Sequence, residues 1–213
     1  GSEMCIRDRL KEQLSSVLPI ADQNFSKFDM SFYSTRPDGR SGISPRENME
    51  YNLGECKTYA AKFSKDSPNL LLFGSTGLGK TFLSTCIAEA VSARGFSVAY
   101  DTAINIVAAY ETIKFGSGDG EAAAERAARY ERADLLIIDD MGTEMGTAFT
   151  VSALYNLINN RLMAKRPMII NTNLLPETLS EKYSPAVASR LLGEFLPLRF
   201  FGDDIRLLKM RRT

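Results

Sequence analysis

Eight consecutive residues at positions 74–81, GSTGLGKT, match a pattern that binds phosphate groups. The pattern consists of glycine, four residues of any type, glycine, lysine, and then serine or threonine. Its glycines let backbone N–H groups point towards a phosphate, its lysine contacts the β- and γ-phosphates, and its hydroxyl can ligate Mg²⁺. The residues that we predict to bind the phosphates of a nucleotide are Gly74, Ser75, Thr76, Gly77, Leu78, Gly79, Lys80, Thr81 and the adjoining Phe82.

The segment at positions 133–140, ADLLIIDD, places two carboxylates directly after an uninterrupted apolar run. Such a run predicts a buried strand of a parallel sheet, and the end of that strand should lie beside the phosphate site. We predict that Thr81 ligates Mg²⁺, that Asp139 holds the ion through its hydration shell, and that Asp140 orients or deprotonates the attacking water. Glu144 follows closely enough to be a second candidate base.

A third apolar run with a polar end, PMIINTN, occupies positions 167–173. It predicts another buried strand whose polar end lies on the same side of the sheet as the phosphate loop. Asn173 or Thr172 could there contact the γ-phosphate or the attacking water. The alternative is that both residues simply form a turn.

The elements that must position these residues alternate along the chain. Apolar runs predict strands at positions 69–73, 97–101, 133–140, 167–173 and 195–201. Helical periodicity predicts helices at 82–94, 103–112, 121–132 and 149–163, and another that begins at 184. A capping box of Ser44 and Glu47 predicts an earlier helix that ends near Lys65. This alternation indicates an α/β fold with a parallel sheet between two layers of helices.

The first 43 residues lack a clear periodic pattern. We therefore predict a partly ordered arm at 1–43, followed by one folded domain at 44–213. Four aromatic residues, Phe25, Phe28, Phe32 and Tyr33, recur within the arm. They could pack over the adenine side of a bound nucleotide or, more simply, cover an exposed flank of the domain core.

The composition excludes several classes of function. With 26 basic and 26 acidic residues, the chain has no overall positive field for nucleic acid or a membrane, so DNA contact would need a local patch or an oligomer. The absence of histidine excludes catalytic triads and histidine-ligated metal sites. Three widely spaced cysteines argue against a disulfide framework and favour the reducing cytoplasm. No apolar run is long enough to span a membrane, so we expect no membrane partner.

Five segments of the sequence together resemble those of a known family. In chain order they are GSTGLGKT, LLIIDDMGTE, IINTNL, SRLLG and FFGDDIR. Over residues 25–212 the chain is similar to the AAA+ ATPases of the DnaC/DnaI-type helicase loader family, with the IstB-like ATP-binding proteins, and especially to loaders of Firmicutes and their phages. The resemblance implies an AAA+ P-loop NTPase fold, in which helices sandwich a five-stranded parallel sheet and a short helical arm precedes it. It also implies ATP and Mg²⁺ as cofactors.

The resemblance further implies a role for each matching residue. Asp139 and Asp140 correspond to the acids that bind the metal and activate water, and Asn173 to the sensor of the γ-phosphate. Arg190 corresponds to an arginine finger that is supplied to a neighbouring subunit, and Arg206 to a second sensor that contacts the nucleotide. Such proteins assemble into homo-oligomers, bind single-stranded DNA and place a replicative DNA helicase on it, so hydrolysis of ATP would depend on assembly and on DNA.

The sequence departs from this family in two respects. Only 43 residues precede Ser44, where loaders usually carry a helicase-binding region, and position 186 is alanine where many relatives have arginine. The nearest alternative function is an IstB-like transposition helper ATPase, which the sequence hardly separates from a loader. More distant candidates are a small-molecule kinase built on the same loop and an adaptor that binds ATP without hydrolysing it.

Overall fold

A five-stranded parallel sheet forms the centre of the computed structural model, which describes residues 23–116 and 118–211. The strand order in the sheet is β2-β3-β4-β1-β5. The strands are β1 (Asn69–Gly74), β2 (Val98–Thr102), β3 (Leu135–Met141), β4 (Met168–Thr172) and β5 (Phe195–Phe200). The predicted α/β fold with a parallel sheet between helices is confirmed.

One helix precedes the first strand, the others lie between or after the strands, and together they cover both faces of the sheet. They are α1 (Pro45–Lys62), α2 (Lys80–Ala93), α3 (Ala103–Phe115), α4 (Gly120–Arg132), α5 (Ala148–Met163), α6 (Pro176–Lys182), α7 (Pro185–Glu194) and α8 (Ile205–Met210). Two short 3₁₀ turns, Phe25–Lys27 and Met30–Phe32, precede them. Of the helices in residues 23–116 and 118–211, none is long and apolar enough to cross a membrane. The first 22 residues of the predicted arm lie outside the described residues, and the boundary between arm and domain stays a prediction.

Several boundaries differ from the predicted ones by a few residues. Helix α1 has the predicted capping box, but it ends at Lys62 rather than near Lys65 because Phe63 turns out of the helix and buries its ring in the core. Helix α2 begins at Lys80, two residues earlier than predicted. Strand β3 spans 135–141 instead of 133–140, since Ala133 still caps the end of α4.

Strands β1 to β4 are buried on both faces because alternate residues enter two separate hydrophobic clusters, whereas the edge strand β5 is partly exposed. On β3, Leu136 and Ile138 belong to the cluster that includes α3, α4 and α5. Their neighbours Leu135 and Ile137 belong to the opposite cluster, which includes α1 and α2. This double burial explains the uninterrupted apolar run in the sequence, and it fixes the ends of the central strands relative to one another.

Arg161 on α5 joins three elements at the edge of the sheet where β3 and β4 begin. It is completely buried, and its guanidinium donates hydrogen bonds to the carbonyl oxygens of Tyr130 (2.7 Å), Ala133 (3.0 Å) and Pro167 (2.8 Å). Burial lowers the pKa of Arg161 to about 10. The side chain therefore attaches the end of α4 and the starts of β3 and β4 to α5.

We predict that Arg161→Met lowers the free energy of unfolding by about 3 kcal/mol, because it leaves buried carbonyl groups without a donor. Urea unfolding followed by circular dichroism would measure this. Arg132→Met is the matched control, since Arg132 is exposed in the last turn of α4 and its loss should change the stability by less than about 0.5 kcal/mol. Equal unfolding midpoints for the two variants would contradict the role of Arg161.

Candidate nucleotide site

The phosphate loop turns sharply between β1 and α2 because its glycines adopt conformations that other residues avoid. The φ angles of Gly74, Gly77 and Gly79 are 138°, 71° and 96°. A Cβ atom at Gly74 would lie 2.0 Å from the carbonyl oxygen of Phe200, and one at Gly79 would lie 2.8 Å from the hydroxyl of Tyr33. The loop therefore presents bare backbone at the N-terminus of a helix, as a phosphate-binding loop requires.

Lys80, the first residue of α2, is almost completely buried in this loop, with 5% of its surface exposed. Its Nζ donates hydrogen bonds to the carbonyl oxygens of Gly74 and Ser75, both at 2.6 Å. Burial lowers the pKa of Lys80 to about 8, although the Asp140 and Asp139 carboxylates partly oppose this effect. The loop thus contains an amine whose protonation depends strongly on any charge that binds beside it.

The buried carboxylate of Asp139 lies against the phosphate loop. Its Oδ1 accepts a hydrogen bond from the Thr81 hydroxyl at 3.1 Å, which joins the loop to the end of β3. A hydroxyl that donates to a carboxylate keeps its lone pairs for a cation, and Mg²⁺ binds such oxygen atoms together with phosphate oxygens. Thr81 and Asp139 therefore fit the predicted Mg²⁺ site.

Three further groups donate hydrogen bonds to Asp139. Its Oδ1 also accepts from the Asn171 amide at 2.8 Å and from the Asp140 N–H at 3.0 Å, and its Oδ2 accepts from the Tyr100 hydroxyl at 2.6 Å. Burial raises the pKa of Tyr100, so this hydroxyl stays protonated. Neither the Asn171 nor the Tyr100 side chain was predicted from the sequence. Asn171 could have been found as a polar residue inside an apolar strand. Tyr100 lies on another strand, and no motif in the sequence links it to Asp139.

Asp139 and Asp140 both line one cavity, although consecutive side chains of a regular strand point to opposite faces. The register between β3 and β4 shifts between Ile138 and Met141, and Asp140 has a φ angle of +50°. This irregularity brings the second carboxylate to the same side as the first. Burial, followed by the charge of Asp139, raises the pKa of Asp140, which makes this carboxylate a stronger base.

The cavity has a volume of about 540 Å³, which suits a small-molecule ligand. Asn173, just after β4, and Arg206 on α8 both line it. The N–H of Ile205 donates a hydrogen bond to the Gly77 carbonyl at 2.9 Å, which holds the start of α8 on the phosphate loop. Thr143, which was not predicted from the sequence, lines the same cavity.

An aromatic wall, formed by Phe28, Phe32 and Tyr33, lines another side of the cavity. The Phe28 ring contacts the Phe82 ring edge-on, with 5.4 Å between their centroids. The Tyr33 hydroxyl donates a hydrogen bond to the Leu78 carbonyl at 2.9 Å, and its ring belongs to the cluster under α1 and α2. These residues therefore cover the core and also present an apolar surface to the cavity, as a planar base would need.

Thr172 and Glu144 stabilise the loop after β3 and do not have the chemical roles considered from the sequence. The buried Thr172 hydroxyl donates to the Met141 carbonyl at 2.6 Å. The buried Glu144 carboxylate accepts hydrogen bonds from the Gly142 N–H at 2.9 Å and from the Tyr183 hydroxyl. Neither is among the described residues that line the cavity, so the prediction of Glu144 as a second base is wrong.

Arg190 lies far from the cavity of its own chain. It borders a surface depression with Asn69 and Pro167, at the edge of the sheet where β1 and β4 begin, whereas the phosphate loop follows the end of β1. Its guanidinium is 3.8 Å from the Glu194 carboxylate in a largely exposed ion pair. Its role towards a neighbouring subunit stays a prediction.

Comparison with known sequences places these features in a family. The family described as "IstB-like ATP binding protein" matches residues 54–195. The replicative helicase loader DnaC of Escherichia coli is 25% identical over 185 residues, which cover 80% of this chain and 75% of that protein. A putative ATP-binding protein in an insertion sequence of Mycobacterium tuberculosis is 27% identical over 129 residues, which cover 60% of this chain and 50% of that protein.

Solved structures share the fold. A crystal structure of the DnaC helicase loader has a TM-score of 0.67 at 16% identity and covers 85% of this chain and 98% of its own. A replication initiator DnaA bound to AMPPCP and single-stranded DNA has a TM-score of 0.64 at 20% identity. That match covers 90% of this chain, which spans about half (55%) of the initiator structure. The fold is therefore the P-loop AAA+ fold.

We predict that ATP binding takes up protons near pH 8. Lys80 should be about half protonated there, and the phosphate charge favours its protonated form. Since binding requires the ammonium group, affinity should fall as the pH rises above about 8, by up to roughly tenfold per pH unit. Calorimetric titration in two buffers with different ionisation enthalpies would measure the proton uptake.

Lys80→Arg is the control for this prediction, because a guanidinium stays charged throughout the range and should abolish the proton uptake. An affinity of the unaltered protein that stays constant between pH 7.5 and 9.5 would contradict the assignment of Lys80.

Proposed function

Since the chain belongs to the family of IstB-like ATP-binding proteins, we infer that it hydrolyses ATP to ADP and phosphate and that this reaction serves DNA replication. The observation that carries this proposal is the hydrogen bond between Thr81 and Asp139, because it joins the phosphate loop to an acidic strand end. Asp140 lies beside them in the same cavity, so binding and hydrolysis can be combined in one site.

Each residue of the site then has a distinct task. The loop amides and Lys80 bind the phosphates, while Thr81 and Asp139 hold Mg²⁺, which neutralises charge on the phosphate oxygens. Asp140 accepts a proton from the attacking water, for which its raised pKa makes it suitable. Asn173 orients that water or senses the γ-phosphate, and Arg206 contacts the phosphates from α8.

A single chain would hold ATP without completing the catalytic site. Arg190 is at the opposite edge of the sheet from the phosphate loop of its own chain. We propose that it reaches the nucleotide of a neighbouring copy, where its charge stabilises the transferring phosphoryl group. Such head-to-tail contacts repeat from subunit to subunit, so hydrolysis would occur only in an oligomer.

We predict that two inactive variants restore each other. Asp140→Asn retains a residue that tolerates the left-handed conformation but removes the base, and Arg190→Ala removes the finger. Each alone should hydrolyse ATP at least about 100-fold more slowly while still binding it. Mixed in equal amounts, they should recover about a quarter of the normal rate, since one interface in four joins an intact base to an intact arginine.

Two results would contradict this arrangement. Full activity of Arg190→Ala at saturating ATP would exclude Arg190 as the finger. A mixture that stays inactive, although both variants bind ATP and associate, would show that the two residues do not meet in one shared site. The rate per subunit of the unaltered protein should also rise with protein concentration.

We propose that the partners are single-stranded DNA and the replicative helicase, and that the protein acts in the cytoplasm. Support comes from the loader named among its relatives and from the DNA-bound initiator that shares its fold. A second candidate is ATP-dependent assistance to a transposase, which is supported by the family description and by the insertion-sequence relative.

Loading onto closed circular single-stranded DNA separates the two candidates, because a helicase ring cannot thread onto a circle without being opened. We predict that the chain, with ATP, deposits the helicase of the same genome on such circles and that Lys80→Ala does not. Binding of the chain to the single-stranded DNA should weaken steeply as the salt concentration rises. If only a transposase encoded beside the gene stimulates hydrolysis, and no helicase is deposited, the second candidate replaces the first.

A further inference from the structure

We propose that Tyr100 is a positioning residue for the metal, whose hydroxyl holds Asp139 in the orientation that the Mg²⁺–ATP complex requires. This inference rests on the proposed function. Tyr100 lies on β2, behind Asp139, and is buried with 3% exposed. It does not belong to the phosphate loop or to the acidic strand, and it is not among the described residues that line the cavity, so it would act on the site through its hydrogen bond to Asp139.

The two oxygens of Asp139 have different tasks. Oδ1 faces the site and accepts hydrogen bonds from Thr81 (3.1 Å), Asn171 (2.8 Å) and the Asp140 N–H (3.0 Å). Oδ2 points away from Thr81 towards β2, where the Tyr100 hydroxyl donates at 2.6 Å. Within the described residues, Tyr100 is the hydrogen-bond donor to Oδ2, so it fixes the second oxygen and, with the three donors to Oδ1, opposes rotation of the carboxylate plane.

The parallel register explains why tyrosine suits this position. Thr102 is the residue of β2 that pairs with Asp139, and Tyr100 precedes it by two residues on the same face of the strand. A shift of two residues corresponds to about 6.6 Å along a strand, and a tyrosine side chain that leans along the strand covers such a distance. Phenylalanine would fill the same space in the core without reaching Asp139 with a donor.

The orientation of Asp139 matters because Mg²⁺ requires nearly ideal octahedral geometry. A carboxylate that turns about its Cβ–Cγ bond would withdraw Oδ1 from Thr81 and would misplace the oxygen atoms that would hold the hydrated Mg²⁺. Groups that hold a metal ligand in place commonly change metal affinity by about 10–100-fold when they are removed. Loss of the Tyr100 hydroxyl should therefore reduce the amount by which Mg²⁺ tightens ATP binding. It should not change the affinity for ATP in the absence of Mg²⁺.

A purely structural role is the competing explanation, and the chain contains a matched control for it. Tyr130 is completely buried, and its hydroxyl donates to Oδ2 of Asp101 at 2.6 Å, the same distance as between Tyr100 and Asp139. Tyr130 belongs to the hydrophobic cluster on the opposite face of the sheet. Tyr130→Phe thus removes an equivalent buried hydrogen bond to a carboxylate that the site does not use.

The experiment compares the affinity for ATP with excess Mg²⁺ and with EDTA, by calorimetry, for the full chain and both variants. Mg²⁺ should tighten ATP binding by the unaltered chain. Tyr100→Phe should reduce this gain by about tenfold while changing the affinity in EDTA by less than about twofold. Tyr130→Phe should retain the full gain, and thermal unfolding should show whether the two variants lose similar stability.

A double-mutant cycle tests whether Tyr100 acts through Asp139. Asp139→Asn should lose the gain from Mg²⁺, and Tyr100→Phe added to it should cause no further loss. Three results would overturn the inference. Tyr100→Phe could keep the full gain in ATP affinity from Mg²⁺, or it could weaken ATP binding as much in EDTA as in Mg²⁺. Tyr130→Phe could reduce the gain from Mg²⁺ as much as Tyr100→Phe does. If the unaltered chain binds no ATP, or gains nothing from Mg²⁺, the proposed function itself is wrong and the inference fails with it.

Discussion

The buried carboxylate of Asp139 is the group on which the arrangement of the site depends. An ionised group that is only 3% exposed would cost several kcal/mol, on the order of the whole stability of a domain, if its oxygens lacked donors. Its donors come from α2, β2 and β4 as well as from its own strand. The carboxylate is therefore satisfied only after three strands and the phosphate loop have reached their native positions.

Because all strands run in the same direction, the residues of the cavity and Arg190 lie at opposite edges of the sheet. Every strand ends at the same edge, so Lys80, Asp139 and Asn173 come together there although almost a hundred residues separate the first from the last. Arg190 lies at the opposite edge, where β1 and β4 begin, and thus across the sheet from the phosphate loop of its own chain. In the proposed mechanism, binding therefore needs a single chain, whereas hydrolysis needs a pair.

The sequence predicts those parts of the site whose causes are local. The phosphate loop is recognisable because glycine is needed at fixed positions, and the alternation of strands and helices follows from apolar periodicity. The contacts of Tyr100 and Glu144 could not be predicted, because they depend on which strand or helix lies beside them. The shift in register that brings Asp140 beside Asp139 is also absent from the sequence pattern, since it arises from pairing with β4.

The left-handed backbone at Asp140 has a consequence for the evolution of this protein. A residue other than glycine in that conformation costs roughly 1 kcal/mol or more. Glycine would relieve the strain, so selection for stability alone would favour a sequence without the second carboxylate. The proposed role of the Asp140 carboxylate as a base supplies a reason for this less favourable backbone. Consensus or computational stabilisation of this fold should leave position 140 untouched.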